Sequence, residues 1–155
     1  MPFIDILVPE AVMPSLKASS KKQALQEISS FAADLLSVTD NSVYDLVMQR
    51  ERVGTTGVGH GVAIPHGKMA KLDEIRGFFA RLERPLDFES ADEKPVDLIF
   101  LLLAPEEAGA DHLKALARVA RALHDPELLT KIRACHNSDC IYTLLAEGMT
   151  VQSSL

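Results

Sequence analysis

Cysteine, positive charge and long apolar stretches are all scarce in this chain, and each scarcity closes off a class of function. Only two cysteines occur among 155 residues, Cys135 and Cys140. A zinc site using them with His136 would lack a fourth ligand and has poor spacing. A reducing cytosol disfavours a disulfide, so the pair is read as buried or idle thiols. Lys and Arg number 16 against 22 Asp and Glu, a net charge of −6. Nucleic-acid binding through a basic face is therefore not expected. The longest apolar run, Leu98 to Ala104, falls far short of the ~18 residues of a membrane span. The opening Met1-Pro2-Phe3-Ile4-Asp5 has neither the basic n-region nor the apolar h-region of a signal peptide. The expectation is a cytoplasmic protein without membrane insertion. No repeat, low-complexity tract or linker interrupts the chain, and its length suits a single domain over 1–155 with a sizeable core.

The densest information lies in Gly57-Val58-Gly59-His60-Gly61-Val62-Ala63-Ile64-Pro65-His66-Gly67-Lys68. Glycine lets backbone approach a ligand closely. Proline fixes its own φ and restricts its neighbours, so His66 is stiffly mounted. Imidazole can act as nucleophile, acid or base near neutral pH. A fixed histidine beside a Gly-rich loop points to group transfer.

Hydrophobic spacing supplies the scaffold. Val12 to Leu16 reads as a short strand. Ser19-Ser20-Lys21-Lys22 opens a helix with Ala24, Leu25, Ile28, Phe31, Ala32, Leu35 and Leu36 at a period of 3.6. A second helix is expected from Asn41-Ser42, with Ser42 and Asp45 as a capping pair. Its stripe of Val43, Leu46 and Val47 continues to Arg50. An arginine on the core side of a helix end either meets an anion or covers the core with its stem. Residues 53–60 are expected as loop and Gly61 to Ile64 as a strand. Ile75 to Leu82 reads as a strand. Val96 to Leu103, a continuous apolar run between Pro95 and Pro105, reads as a central strand buried on both faces. Helices follow at Ala110 to Leu123, with an apolar stripe of Leu113, Leu116, Ala117, Ala120 and Leu123, then from Pro126 to Ile132 and from Ser138 to Ala146. The expected fold is α/β: one domain, a mixed parallel and antiparallel sheet of about five strands, and helices on both faces.

His112 falls in the first turn of the helix after the central strand, facing inward. Ligands on open α/β sheets collect outside strand ends and at helix N-termini. The helix end favours a neutral imidazole. A hydrogen-bonded core histidine is the competing reading. Together, Arg50, His66 and His112 have the chemistry of a phosphate site. A phosphoryl group carries about two negative charges and needs donors such as a guanidinium fork. A neutral imidazole nitrogen can attack phosphorus directly. Two nucleotide motifs fail. Five residues separate Gly61 from Gly67 where a P-loop has four, Met69 replaces the Mg²⁺-binding hydroxyl, and Pro65 removes an amide donor. The Gly57–Gly61 segment lacks the third dinucleotide-loop glycine and follows a helix.

The segment Gly59 to Gly67 resembles the active-site segment of the enzyme IIA domains of the bacterial sugar phosphotransferase system, fructose–mannitol class, and is most similar to the stand-alone nitrogen-regulatory IIA proteins. The resemblance also covers Ser19-Ser20-Lys21-Lys22, Arg50-Glu51, Pro95 to Phe100, and Ala110-Asp111-His112-Leu113. It implies that His66 carries the phosphoryl group on Nε2, that Arg50 binds phosphate, and that His112 is the second active-site histidine. It implies no cofactor and no metal. The donor would be a phosphohistidine carrier protein, itself charged from phosphoenolpyruvate. Downstream would stand regulatory protein targets or, in a sugar-uptake system, a IIB domain. Val58 and Val62 are expected at the contact with the carrier. One position departs: sugar-transporting relatives have Glu and nitrogen-type relatives usually Asn where this chain has His60. That residue is either a neutral polar replacement or a third imidazole neighbouring the site. Two other classes stay in view, a non-covalent anion-binding module and a metal-dependent hydrolase using His60, His66 and His112.

Overall fold

The computed structural model describes residues 6–153, so the Met1–Asp5 segment weighed above as a signal peptide lies outside them. The elements are β1 (Val12–Leu16), α1 (Lys21–Leu36), α2 (Asp40–Val53), β2 (Gly57–Gly59), β3 (Val62–Ala63), β4 (His66–Met69), β5 (Arg76–Leu86), β6 (Val96–Pro105), α3 (Ala110–Ala122), α4 (Pro126–Arg133) and α5 (Ser138–Ser153). They form one α/β unit around a six-stranded mixed sheet ordered β1-β5-β6-β3-β2, with β4 also paired to β6. β1 runs parallel to β5, β5 antiparallel to β6, and β3 and β4 both parallel to β6. Among the described residues no helix is long and apolar enough to cross a membrane.

β6 is central because every residue in it except Asp97 is buried. Consecutive residues of a strand point to opposite faces, and on β5 both Phe78 and Phe79 are fully buried. The sheet is therefore covered on both sides. Phe78 meets Phe31 of α1 edge-on at 6.5 Å, and Phe79 meets Phe100 at 6.3 Å. The start of α1 follows its sequence signal: Ser20 Oγ accepts from Gln23 N–H at 3.1 Å.

Four expectations are corrected. Residues 57–59 are not loop but β2, which forms an antiparallel pair with β3. The second helix begins at Asp40, so Ser42 lies inside its first turn and its hydroxyl donates back to Thr39 O at 2.8 Å instead of capping. On α3 the inward row is His112, Ala115, Val119 and Ala122, while Leu113 is 67% exposed. Small residues take the side nearest the core, rotating the long leucine outward. Finally, the cysteines are not free thiols. Cys135 and Cys140 are joined in a disulfide across the α4–α5 turn, which brings their Cα atoms to 5.8 Å.

Candidate active site

Three elements converge where β6 runs out toward α3. The first is the start of β4. Pro65 O accepts from Leu102 N–H at 2.9 Å, which sets His66 opposite Leu102 near the C-terminal end of β6. His66 is half-buried, and its Nδ1 lies 2.9 Å from Ile64 O. A carbonyl can only accept, so Nδ1 carries the proton and Nε2 keeps its lone pair. The backbone that carries the ring thus selects its tautomer.

The second element is the last turn of α2. Arg50 Nε donates to His66 Nε2 at 3.3 Å, and its Nη1 donates to Gly54 O at 3.0 Å. The guanidinium at this helix end therefore faces the imidazole. Glu51, the next residue, is buried and anchors this end. Its carboxylate accepts from Thr56 N–H at 3.0 Å, from Thr56 Oγ1 at 2.6 Å and from Lys21 Nζ at 2.7 Å. Thr56 O then accepts from Ile64 N–H at 2.9 Å. A continuous bonded path therefore runs from α1 through the end of α2 to Ile64, in the link between β3 and β4 just before His66. Gly67 makes the approach of α2 to β4 close: a Cβ there would sit 2.9 Å from Leu46 Cγ and Cδ2, one turn before Arg50.

The third element is the first turn of α3. The His112 ring centre is 5.7 Å from that of His66, tilted by 58°. His112 is buried, and its Nε2 has no hydrogen-bond partner. Its pKa is held below the ordinary 6.5 by burial, then by the charges of His66 and Lys68. Lys68 was missed as a residue of the site. It lies two positions after His66 on the same strand, hence on the same face, a relation legible only once 66–69 is known to be β4.

Other expectations fail here. His60 sits in the left-handed region at φ 59°, and its ring faces His124 at 4.6 Å. Its N–H donates to Asp92 Oδ2 at 3.1 Å, and its carbonyl accepts from Arg133 Nη2 at 2.7 Å. On β6, Val62 pairs at Leu98 and His66 at Leu102. At ~3.3 Å per residue the two registers lie about 13 Å apart, with His60 further out still. The glycine-rich turn belongs with His60 at that far end, so it is not beside His66. The three-imidazole metal site of the hydrolase reading is therefore not assembled. Among the described residues no group of three or more His, Cys, Asp or Glu is placed to hold a metal ion. Val62 is fully buried, whereas Val58 is exposed on β2. The exposed apolar side chains on the site's own elements are Leu113, after His112, and Val53, which ends α2 three residues past Arg50.

An unprotonated imidazole Nε2 that accepts from a guanidinium, with a second buried ring beside it at a strand end of an open α/β sheet, has the lone pair and the donors that a phosphoryl-transfer site requires. Comparison with known proteins specifies it further. Residues 5–148 match the family described as phosphoenolpyruvate-dependent sugar phosphotransferase system, EIIA 2, and the chain belongs to that family. It is 58% identical to a nitrogen regulatory protein of Bradyrhizobium diazoefficiens, over 94% of this chain and 95% of that protein. The crystal structure of nitrogen regulatory protein IIA-Ntr from Neisseria meningitidis superposes with a TM-score of 0.86 at 31% identity, covering 91% of this chain and 97% of that one. Enzyme IIA mannitol of Escherichia coli, solved in complex with phosphorylated enzyme IIB mannitol, shares the fold at a TM-score of 0.74 and 18% identity, over 89% of this chain and 95% of that one.

Proposed function

We propose that this chain is a single IIA domain that accepts a phosphoryl group on His66 Nε2 from a phosphohistidine carrier protein and acts as a nitrogen/carbon regulator through its phosphorylation state. One observation carries the reading: the hydrogen bond between His66 Nδ1 and Ile64 O leaves Nε2 as the nucleophilic atom, with Arg50 already upon it.

In the step, the Nε2 lone pair attacks phosphorus, the N–P bond of the donor breaks, and the donor's imidazole leaves with that electron pair. Arg50 moves its N–H from Nε2 to a phosphoryl oxygen. His112 stays neutral because its pKa is lowered, and its unpartnered Nε2 can donate to a second oxygen. Lys68 adds positive charge on the same face. No metal or cofactor is required, because the donor is already activated. Exposed Leu113 and Val53 supply apolar contact for the carrier. The Bradyrhizobium relative supports the regulatory role. Transfer to a IIB domain is the second reading, supported by the mannitol-type neighbour solved with one. The cytoplasm is the compartment in which such a carrier would be met.

Incubation with phosphoenolpyruvate, the first enzyme of the system and its carrier protein should add the mass of one phosphoryl group. The label should be acid-labile and should vanish in His66→Ala. A parent chain that gains no mass would refute the reading, leaving the non-covalent anion module.

A further inference from the structure

The α4–α5 turn gathers contacts from distant parts of the sheet and is closed by the one pair of cysteines. Arg81 Nη1 on β5 donates to Arg133 O at 2.9 Å and also to Cys135 O, while its Nε donates to Pro14 O of β1 at 3.1 Å. Arg133 grips Asp97 of β6 through two bonds of 2.9 Å and donates to His60 O in the β2–β3 turn. The turn is thus keyed to β1, β5, β6 and the far hairpin. Beyond it, α5 starts on Asn137, whose Oδ1 accepts from Cys140 N–H at 2.9 Å.

The two sulfurs stand in unlike surroundings. Cys135 is 3% exposed, whereas Cys140 is exposed in the first turn of α5. Helix N-termini stabilise thiolates, and exposure admits an oxidant or a small thiol. An open cleft of about 560 Å³ lies against the pair, with one cation, Lys131, and one carboxylate, Asp139, on its wall, so a small neutral oxidant such as a peroxide meets no net charge there. A buried disulfide between two well-covered sulfurs has no such access.

We infer that Cys135 and Cys140 are a reversible redox modification site, with Cys140 the reactive and Cys135 the resolving thiol. The Cys140 thiolate attacks a peroxide oxygen, the O–O bond breaks, and hydroxide leaves to become water, giving a sulfenic acid on Cys140. Cys135 Sγ then attacks Cys140 Sγ, the S–O bond breaks, and a second water departs as the S–S bond forms. Each sulfur loses one electron, and the two peroxide oxygens gain them. In the reverse direction a low-molecular-weight thiol attacks the exposed Cys140 Sγ and releases Cys135. A second equivalent then frees Cys140 and leaves as the oxidised small disulfide. Closing the pair ties the first turn of α5 to the keyed turn, and opening it lets that segment fray.

The test compares the chain treated with dithiothreitol and with hydrogen peroxide. The reduced chain should titrate two thiols, and the oxidised chain none, with the loss of two hydrogens in mass and no dimer. Amide exchange over residues 134–141 should quicken at least about tenfold on reduction while β6 is unchanged. The thermal midpoint should fall by about 5 °C, as expected for releasing a short loop. Cys140→Ser should exchange at the fast rate in either condition. In Cys135→Ser, peroxide should leave a sulfenic acid on Cys140 that dimedone traps. Two thiols still titrating after peroxide, equal exchange in both states, or trapping on Cys135 in Cys140→Ser but not on Cys140 in Cys135→Ser would overturn the inference.

Discussion

The proton on His66 decides what that ring can do. Ile64 O holds it at Nδ1, and Arg50 approaches the atom left bare. An arginine so placed stabilises charge that develops on a phosphoryl group, so Arg50→Ala should slow transfer by on the order of 10³-fold in a rapid-quench assay. Transfer at the parental rate would contradict that role. His112 carries a second prediction. Its pKa is lowered by burial and by two neighbouring charges. The unfolded chain then binds a proton that the folded chain refuses. Stability should be intact above the ordinary imidazole value and be lost as pH falls through the lowered one. Urea midpoints from pH 7.5 to 5 should decline more steeply for the parent than for His112→Gln, and parallel curves would contradict the assignment. At this scale the sequence was readable where local chemistry is strong. A histidine between Pro65 and Gly67, and an arginine continuing an apolar helical stripe, are visible as letters. For His60 letters alone left two readings open, because six positions along the chain look close; the β2–β3 turn sends it to the other end of β6, which leaves the polar loop replacement.

Among the elements, helix limits were legible from periodicity and end signals: α1, α3 and α4 fall within a residue or so of their expected limits, although the inward face of α3 was not. β6 was legible from unbroken apolarity. β2 and β4 were not, since strands of three and four residues containing glycine carry no alternation to read. Yet β4 is the element that aims His66, and its fit against α2 rests on Gly67. A methyl group there would meet the Leu46 side chain at 2.9 Å, which must shift to admit it, on the helix that bears Arg50. Gly67→Ala should cost about 1–3 kcal/mol of stability and slow transfer roughly tenfold through misplacement. Leu46→Ala in the same chain should restore part of the rate. No loss in the single variant would show that the α2–β4 approach does not set the site.

For the whole molecule, one sheet carries two separate ends. The end near Leu102 holds the three site residues, and the end near Leu98 holds the glycine-rich hairpin, His60 and the Arg133 contacts. Only topology could reveal this division, because it depends on β3 and β4 both lying along β6. Burial removes Val62 from the expected contact with the carrier, while Leu113 and Val53 are exposed apolar residues on α3 and α2, the helices that bear His112 and Arg50. Leu113→Asp should raise the KM for the phosphorylated carrier about tenfold with kcat little changed, by steady-state transfer assays. An unchanged KM would remove Leu113 from the contact. The most direct measurement of the central claim is nitrogen NMR of the phosphorylated chain with ¹⁵N-labelled histidine. The account predicts phosphorus coupling to Nε2 of His66 while Nδ1 keeps its hydrogen-bonded proton. Coupling at Nδ1, or a phosphoryl group on His112 or His60, would contradict it.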